Sequence, residues 1–153
     1  MALPSRLKGA SGSYIGEYRL WFEPGTEPMV SETIADLSVV AEKRFFVMRY
    51  DWWHEEKRRD GLILLGDDAK ANRCDASWID SFHNGHRIML CTGPSVGDGE
   101  VSVLGGYPAP PGPGWGWRTA FDRPDDDTFV MRQYNITPDG AEALAVEASY
   151  RRR

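Results

Sequence analysis

The chain has 153 residues, a formal net charge of −5 and a sequence pI of about 5.2. This length suits a single domain over residues 1–153, and the acidic balance disfavours general binding to nucleic acid or to an anionic membrane surface. No apolar run approaches the roughly 20 residues that span a bilayer, and the opening MALPSRLKGASGSY lacks the apolar core of a secretory signal.

Cys74 and Cys91 are the two cysteines of the chain, and no CxxC spacing joins them, which argues against a zinc ribbon or a thioredoxin-type site. A disulfide between them is an option in principle, but reduced thiols are the simpler interpretation. We therefore expect a cytoplasmic protein that does not insert into membranes.

Short segments that alternate apolar and polar residues follow one another along the chain, and each is closed by turn residues. Residues 1–12 are predicted to be an irregular N-terminal segment. In chain order the predicted strands are GSYIGEYRLWF, MVSETIADLSVVA, RFFVMRYDWWH, RDGLILLGD, RCDASWIDSFH, HRIMLCTG, EVSVLGGY, WGWRTAFD, TFVMRQYNI and AEALAVEASYR. About ten strands with short connections predict an all-β, antiparallel up-and-down (meander) β-barrel, because closure removes the exposed edges that an open sheet or sandwich would leave.

Strand parity assigns an inner face, because successive residues of a strand point to opposite sides. An aromatic content of 12% with six tryptophans suggests that flat rings wall the core or a cavity. The residues predicted to face inward are Tyr14, Gly16, Tyr18, Leu20 and Phe22 in the first strand, Phe46, Met48, Tyr50 and Trp52 in the third, and Trp115, Trp117, Thr119 and Phe121 in the eighth. The parity of the second and ninth strands is ambiguous.

The stretch ASWIDSFHNGHRIML carries the strongest hairpin signal, Asn84-Gly85, which predicts a two-residue type I′ turn. This register sets His83 opposite His86, close enough for both to hold one metal ion. No third ligand is visible on that face, so a solvated histidine pair is favoured over a zinc site and no metal is predicted. The residues predicted to share the opposite, inner face are Trp78, Asp80, Phe82, Arg87, Met89 and Cys91.

A carboxylate at Asp80 among apolar rings is costly unless it is paired or protonated. Arg87 lies diagonally across the predicted hairpin, which allows a structural ion pair near the barrel rim. The functional alternative is a polar anchor for a ligand, or a carboxylate with a raised pKa. Arg132 could also bind a ligand carboxylate from inside the barrel, or could face solvent, since the parity of its strand is unresolved.

Two further features are open to alternative interpretations. Residues 108–113, rich in proline and glycine, read either as a polyproline ligand for a partner or, as we favour, as a lid over the barrel. His54, at the end of the third strand, is either a surface residue or the axial ligand of a haem.

Several motifs resemble an uncharacterised, mostly bacterial family of small proteins with a calycin-like barrel. The resemblance is carried by the early Gly-x-Tyr run followed by FEPGTEP, by GLILLGDD, ASWIDSF and WGWRTAFD, and by the ending FVMRQYNITPDGAEALAVEASYRR. It implies the lipocalin and fatty-acid-binding architecture but no settled function. Trp78, Asp80 and Ser81 match the family's Trp-x-Asp-Ser motif, whereas Asp67-Asp68 departs from the expected aromatic-Asp pair.

These observations favour a protein that binds a small, mainly apolar or amphipathic molecule in an aromatic-lined cavity. The predicted ligand-binding residues are Tyr18, Tyr50, Trp52, Trp78, Asp80, Arg87, Trp117 and Arg132. The alternatives are an enzyme that uses Asp80 as a general acid or base, a haem-binding barrel using His54, and a homodimer through the outer face that carries Phe45 and Trp53. No cofactor is otherwise expected, nor is a nucleic-acid partner.

Overall fold

The computed structural model describes residues 4–97 and 99–153 and contains one short helix and ten strands in them. The elements are α1 (Ser5–Lys8), β1 (Gly12–Leu20), β2 (Met29–Val40), β3 (Phe45–His54), β4 (Lys57–Asp68), β5 (Arg73–Asp80), β6 (Met89–Gly93), β7 (Val101–Tyr107), β8 (Trp115–Asp122), β9 (Thr128–Ile136) and β10 (Glu142–Arg152). Within the described ranges, no helix has the length and apolarity needed to cross a membrane.

All ten strands form one closed antiparallel barrel in meander order, which confirms the predicted fold class. Each strand pairs with its neighbours along the chain, and β1 closes the barrel by pairing with β10 from Tyr14↔Arg152 to Leu20↔Val146. The pairing between β6 and β7 is much the shortest, with Thr92↔Leu104 as its single register pair. Closure leaves the sheet without long free edges.

The inner face follows the predicted alternation in the three strands for which it was assigned. Its buried residues are Tyr14, Tyr18 and Leu20 of β1, Phe46, Met48, Tyr50 and Trp52 of β3, and Trp117, Thr119 and Phe121 of β8. The two ambiguous strands also become clear, since Thr33, Ala35 and Leu37 of β2 and Phe129, Met131 and Gln133 of β9 are buried.

Phe22 does not belong to the inner face, and its predicted position was wrong. β1 ends at Leu20, so the strand alternation no longer applies two residues later, and Phe22 is 59% exposed. Its ring lies against the rings of His54 and Phe82, with centroids 5.5 and 6.4 Å away.

One end of the barrel is covered by the N-terminal segment. The predicted irregular stretch 1–12 contains the helix Ser5–Lys8, because Leu7 and Ala10 are buried against the barrel and Pro4 O accepts the backbone N–H groups of Leu7 and Lys8. Tyr14 Oη donates a 2.7 Å hydrogen bond to Ala10 O. We call the opposite end, where β5 ends at Asp80 and β6 begins at Met89, the mouth.

The connection across the mouth is longer than the predicted two-residue turn. β5 pairs with β6 through Trp78↔Met89 and Ala76↔Cys91. The predicted register, with His83 opposite His86, would have paired Trp78 with Cys91, so the observed register is shifted by two residues. A shift by two preserves parity, which is why Trp78, Asp80 and Cys91 are still buried. Residues 81–88 become a wide turn that lies over the mouth; we call them the mouth loop.

Candidate functional site

Asp80 is a buried carboxylate at the mouth, and several residues of the mouth bind to it. Its side chain is 2% exposed and accepts four hydrogen bonds from the protein. Tyr50 Oη and Trp52 Nε1 donate to Oδ2 over 2.7 and 3.1 Å, and the backbone N–H groups of Phe82 and His83 donate to Oδ1 over 2.8 and 3.1 Å. These donors offset the cost of burying a carboxylate, so the predicted ion pair with Arg87 does not form.

The same contacts explain why the mouth loop is not a tight hairpin. A carboxylate that accepts the backbone N–H groups two and three residues later stabilises a helical type of turn over the β-turn. Asn84 N then donates to Asp80 O over 3.0 Å, and Arg87 N to Asn84 O over 3.1 Å. Gly85 alone of the Asn-Gly pair has positive φ, at 60°, whereas a type I′ turn needs it at both positions.

Tyr50 links Asp80 to a second tryptophan. Trp78 Nε1 donates to Tyr50 Oη over 2.9 Å, while that hydroxyl donates to Asp80. Gly61 makes room for the hydroxyl, because a Cβ at this position would overlap Tyr50 Oη and lie 2.7 Å from Ile79 O. Burial, and then the charge of Asp80, raise the pKa of Tyr50 well above its usual value, so its hydroxyl stays protonated and remains a donor.

His83 turns into the mouth, and the predicted solvated pair with His86 is wrong. Its ring packs 5.6 Å from Trp52, 5.7 Å from Trp78 and 5.6 Å from Trp117, and Nε2 lies 3.3 Å from Tyr18 Oη. Burial lowers the pKa of His83, an effect that the charge of Asp80 opposes, so the imidazole is neutral at pH 7. His86 is exposed.

A cleft of about 310 Å³ opens between the mouth loop and the ends of β7 and β8. Its lining residues are Trp78, His83, Asn84, Arg87, Ile88, Met89, Gly106, Tyr107, Pro108 and Trp117. Two buried polar atoms of these residues have no hydrogen-bond partner among the described residues: the donor Trp117 Nε1 and the acceptor Asn84 Oδ1. The nitrogen of the same Asn84 amide does have a partner, because Nδ2 donates a hydrogen bond to Trp78 O over 3.1 Å.

The predicted aromatic residues come together, but they fill the barrel beneath the cleft instead of walling a large cavity. Tyr18 stacks on Trp52 with centroids 4.5 Å apart, and Trp78 stacks on Trp117 at 5.4 Å. Of the eight predicted ligand-binding residues, Trp78, Arg87 and Trp117 line the cleft. Tyr18, Tyr50, Trp52 and Asp80 lie behind them and hold them in place.

Arg87 and Arg132, the two predicted basic anchors, differ in their positions. Arg132 lies on the outer face of β9, where Nε donates to Glu147 Oε2 over 3.0 Å, so of its two alternatives the outward one holds and it does not bind a ligand inside the barrel. Gln133 takes the inner position of that strand. Arg87 is not on the inner face either, because the wide mouth loop carries it outward to the exposed edge of the cleft.

The proline-rich loop forms one side of the cleft. Tyr107 and Pro108 line it, and Tyr107 Oη donates to Asn135 Oδ1 over 2.5 Å, which fixes the ring. Residues 110–114 are exposed. His54, considered above as a haem ligand, is packed against Phe82 at a centroid distance of 5.3 Å and has Nδ1 3.3 Å from Met29 Sδ.

A family of proteins of unknown function, DUF1579, matches residues 5–152. The chain belongs to this family. A search of curated proteins finds no match to it.

Several residues of the DUF1579 site were missed by sequence reasoning. His83, Asn84 and Tyr107 reach the cleft because the mouth loop is wide and because Pro108 follows β7 directly. The signal that could have found the loop is Asp80 followed by Ser-Phe-His, an Asx-type turn start that competes with Asn-Gly. Among the residues that the structure describes, no group of three or more His, Cys, Asp or Glu is placed to hold a metal ion.

Proposed function

We propose that the protein binds a small, mainly apolar molecule in the mouth cleft. The observation that carries the proposal is the combination of an apolar wall with two buried polar atoms, Trp117 Nε1 and Asn84 Oδ1, that have no partner in the described protein. Ligand sites have this composition: aromatic and apolar walls with a few convergent polar groups. The volume of about 310 Å³ lies at the small end of the range for such sites.

The unpartnered atoms specify the polar part of the ligand. Leaving a buried donor or acceptor unpaired costs about 1–3 kcal/mol, so a ligand that pairs both atoms gains from each. A hydroxyl group has the matching chemistry, because it can accept from an N–H such as Trp117 Nε1 and donate to an oxygen such as Asn84 Oδ1. The neutral imidazole of His83 borders the same space and adds no charge.

Asp80 serves this function as a positioning residue. Its four acceptor contacts go to Tyr50, Trp52 and the backbone of the mouth loop, so it holds His83 and Asn84 at the cleft. An enzymatic role for Asp80 gains no support from this arrangement, because all four contacts bind it to the protein.

The proposal is tested with 2-naphthol, an apolar ring system with one hydroxyl, by isothermal titration calorimetry. We expect the wild type to bind it and Trp117→Phe, which keeps an aromatic ring but deletes the N–H donor, to bind about fivefold more weakly. Trp115→Phe is the matched control on the same strand, outside the cleft, and should bind like the wild type.

Binding that is absent in the wild type, or equal in the wild type and Trp117→Phe, contradicts the proposal. Native mass spectrometry of the protein purified from its source is the independent measurement, with a copurifying small molecule as the expected result.

A cytoplasmic location is part of the same proposal. Cys74 and Cys91 are free and buried, and burial raises their pKa values to about 12 and about 11. Thiols of this kind are neutral at pH 7 and suit a reducing compartment.

A further inference from the structure

Arg87 gives the cleft a local charge that is opposite to the charge of the whole chain. Among the described residues that line the cleft, it is the only one with a formal charge, since His83 is neutral. The chain as a whole carries −5. An anion in this cleft would therefore be attracted by Arg87 against the repulsion of the protein's net charge.

The guanidinium of Arg87 is unused by the protein. Its side chain makes no hydrogen bond or ion pair with any residue in the ranges 4–97 and 99–153, whereas its backbone N–H is held by Asn84 O. Arg58, by contrast, binds Asp51 over 3.1 Å. Arg87 is exposed, so its five donors are open to a ligand.

Arg87 also has charged neighbours outside the cleft. It borders an outer groove, of about 610 Å³, whose charged lining residues are Asp36, Asp51, Asp60 and Asp80 together with Arg49 and Arg58. Asp51 and Asp60 are within 4.0 Å of Arg58, which partly neutralises them. Asp80 does not line the cleft, and its oxygens accept four hydrogen bonds from the protein.

We propose that the ligand of the cleft is an organic carboxylate, with the carboxylate bound by Arg87 and the apolar body against Trp117 and Tyr107. A guanidinium suits this class because its planar fork matches both oxygens of a carboxylate. The inference rests on the proposed function, since it assigns a chemical class to the molecule that the cleft binds. It also places the anionic group at the outer edge of the cleft, where its desolvation cost is lowest.

The experiment compares two probes that share a ring system and a hydroxyl: 2-naphthol and 6-hydroxy-2-naphthoate, which adds a carboxylate. Isothermal titration calorimetry at pH 7 and low salt should give a dissociation constant at least about fivefold lower for the carboxylate. In Arg87→Gln we expect the ratio of the two dissociation constants to fall to about one, whatever the change in 2-naphthol binding itself. Arg151→Gln removes the same charge from an exposed site at the other end of the barrel and should keep the preference.

The outcomes separate the two proposals. If neither probe binds, the proposed function fails. If 2-naphthol binds and the carboxylate binds equally or more weakly, the function stands and the anion assignment is overturned. A preference that survives in Arg87→Gln, or that is lost equally in Arg151→Gln, also overturns it, because the attraction would then not come from Arg87.

Discussion

Asp80 illustrates how a single buried charge can be stabilised without a counter-ion. Four donors, two from aromatic side chains and two from the backbone, satisfy its oxygens. Removing the carboxylate leaves these donors unpaired in a site from which water is largely excluded. At the residue scale Asp80 is therefore the group on which the geometry of the mouth depends.

We expect Asp80→Ala to lower the free energy of unfolding by about 3 kcal/mol, since several buried donors lose their acceptor at once. Urea denaturation monitored by circular dichroism is the measurement. Asp75→Ala is the control, because Asp75 lies on the outer face of the same strand in an exposed ion pair with Arg73 and should change stability by less than about 0.5 kcal/mol. Equal effects of the two variants would show that the four contacts contribute little.

The mouth loop carries one neutral imidazole, that of His83, into the mouth. Burial lowers the pKa of His83 from its ordinary value of 6.5, so the folded protein resists a proton that the unfolded chain accepts. The stability linked to His83 is therefore full above about pH 6.5 and is lost progressively as the pH falls below that value toward the lowered pKa.

We predict that the urea midpoint of the wild type decreases between pH 6.5 and 5, and that His83→Gln shows a smaller decrease over the same window. His86→Gln is the control and should keep the wild-type slope, because His86 is exposed. If the urea midpoints of all three proteins decreased equally between pH 6.5 and 5, the lowered pKa of His83 would be refuted.

The strands could be predicted from the sequence and the mouth loop could not, because the two depend on different physical properties of the chain. Side-chain alternation is a local property, so the inner positions of Tyr50, Trp52 and Trp117 follow from parity alone. A turn is decided by competition between local signals, and here the Asp80 carboxylate prevails over Asn84-Gly85. Arg132 was uncertain at the outset because its strand is apolar on both faces.

At the scale of the whole molecule, the barrel has one weak seam. β6 has five residues and shares a single register pair with β7, whereas β3 and β4 share ten. Segments with few backbone pairs open with lower free energy than the rest of a domain. The seam borders the cleft, since Met89 of β6 and Gly106 of β7 both line the cleft.

Hydrogen exchange should reveal this seam. We expect amides of residues 89–93 to exchange faster than those of residues 45–54, and 2-naphthol to slow the exchange of the former selectively. Mass spectrometry after brief labelling provides both comparisons. Uniform protection around the barrel would mean that the short pairing does not weaken the closure.

The homodimer through the outer face of β3 stays a prediction. Phe45 and Trp53 are 42% and 44% exposed there, which leaves both rings free to pack against a second copy. Sedimentation velocity across a range of concentrations is the test, with Trp53→Lys as the variant that should shift the equilibrium toward monomer. A wild type that sediments as a monomer at every concentration would exclude this dimer.

The packing of Trp52, Trp78 and Trp117 around His83 means that the protein carries its own optical reporter. A molecule that enters beside Trp117 alters the surroundings of an indole already stacked on Trp78, so emission and near-ultraviolet dichroism should change together. Chemical libraries can therefore be screened on the unlabelled, unmodified chain, with the mouth tryptophans reporting occupancy.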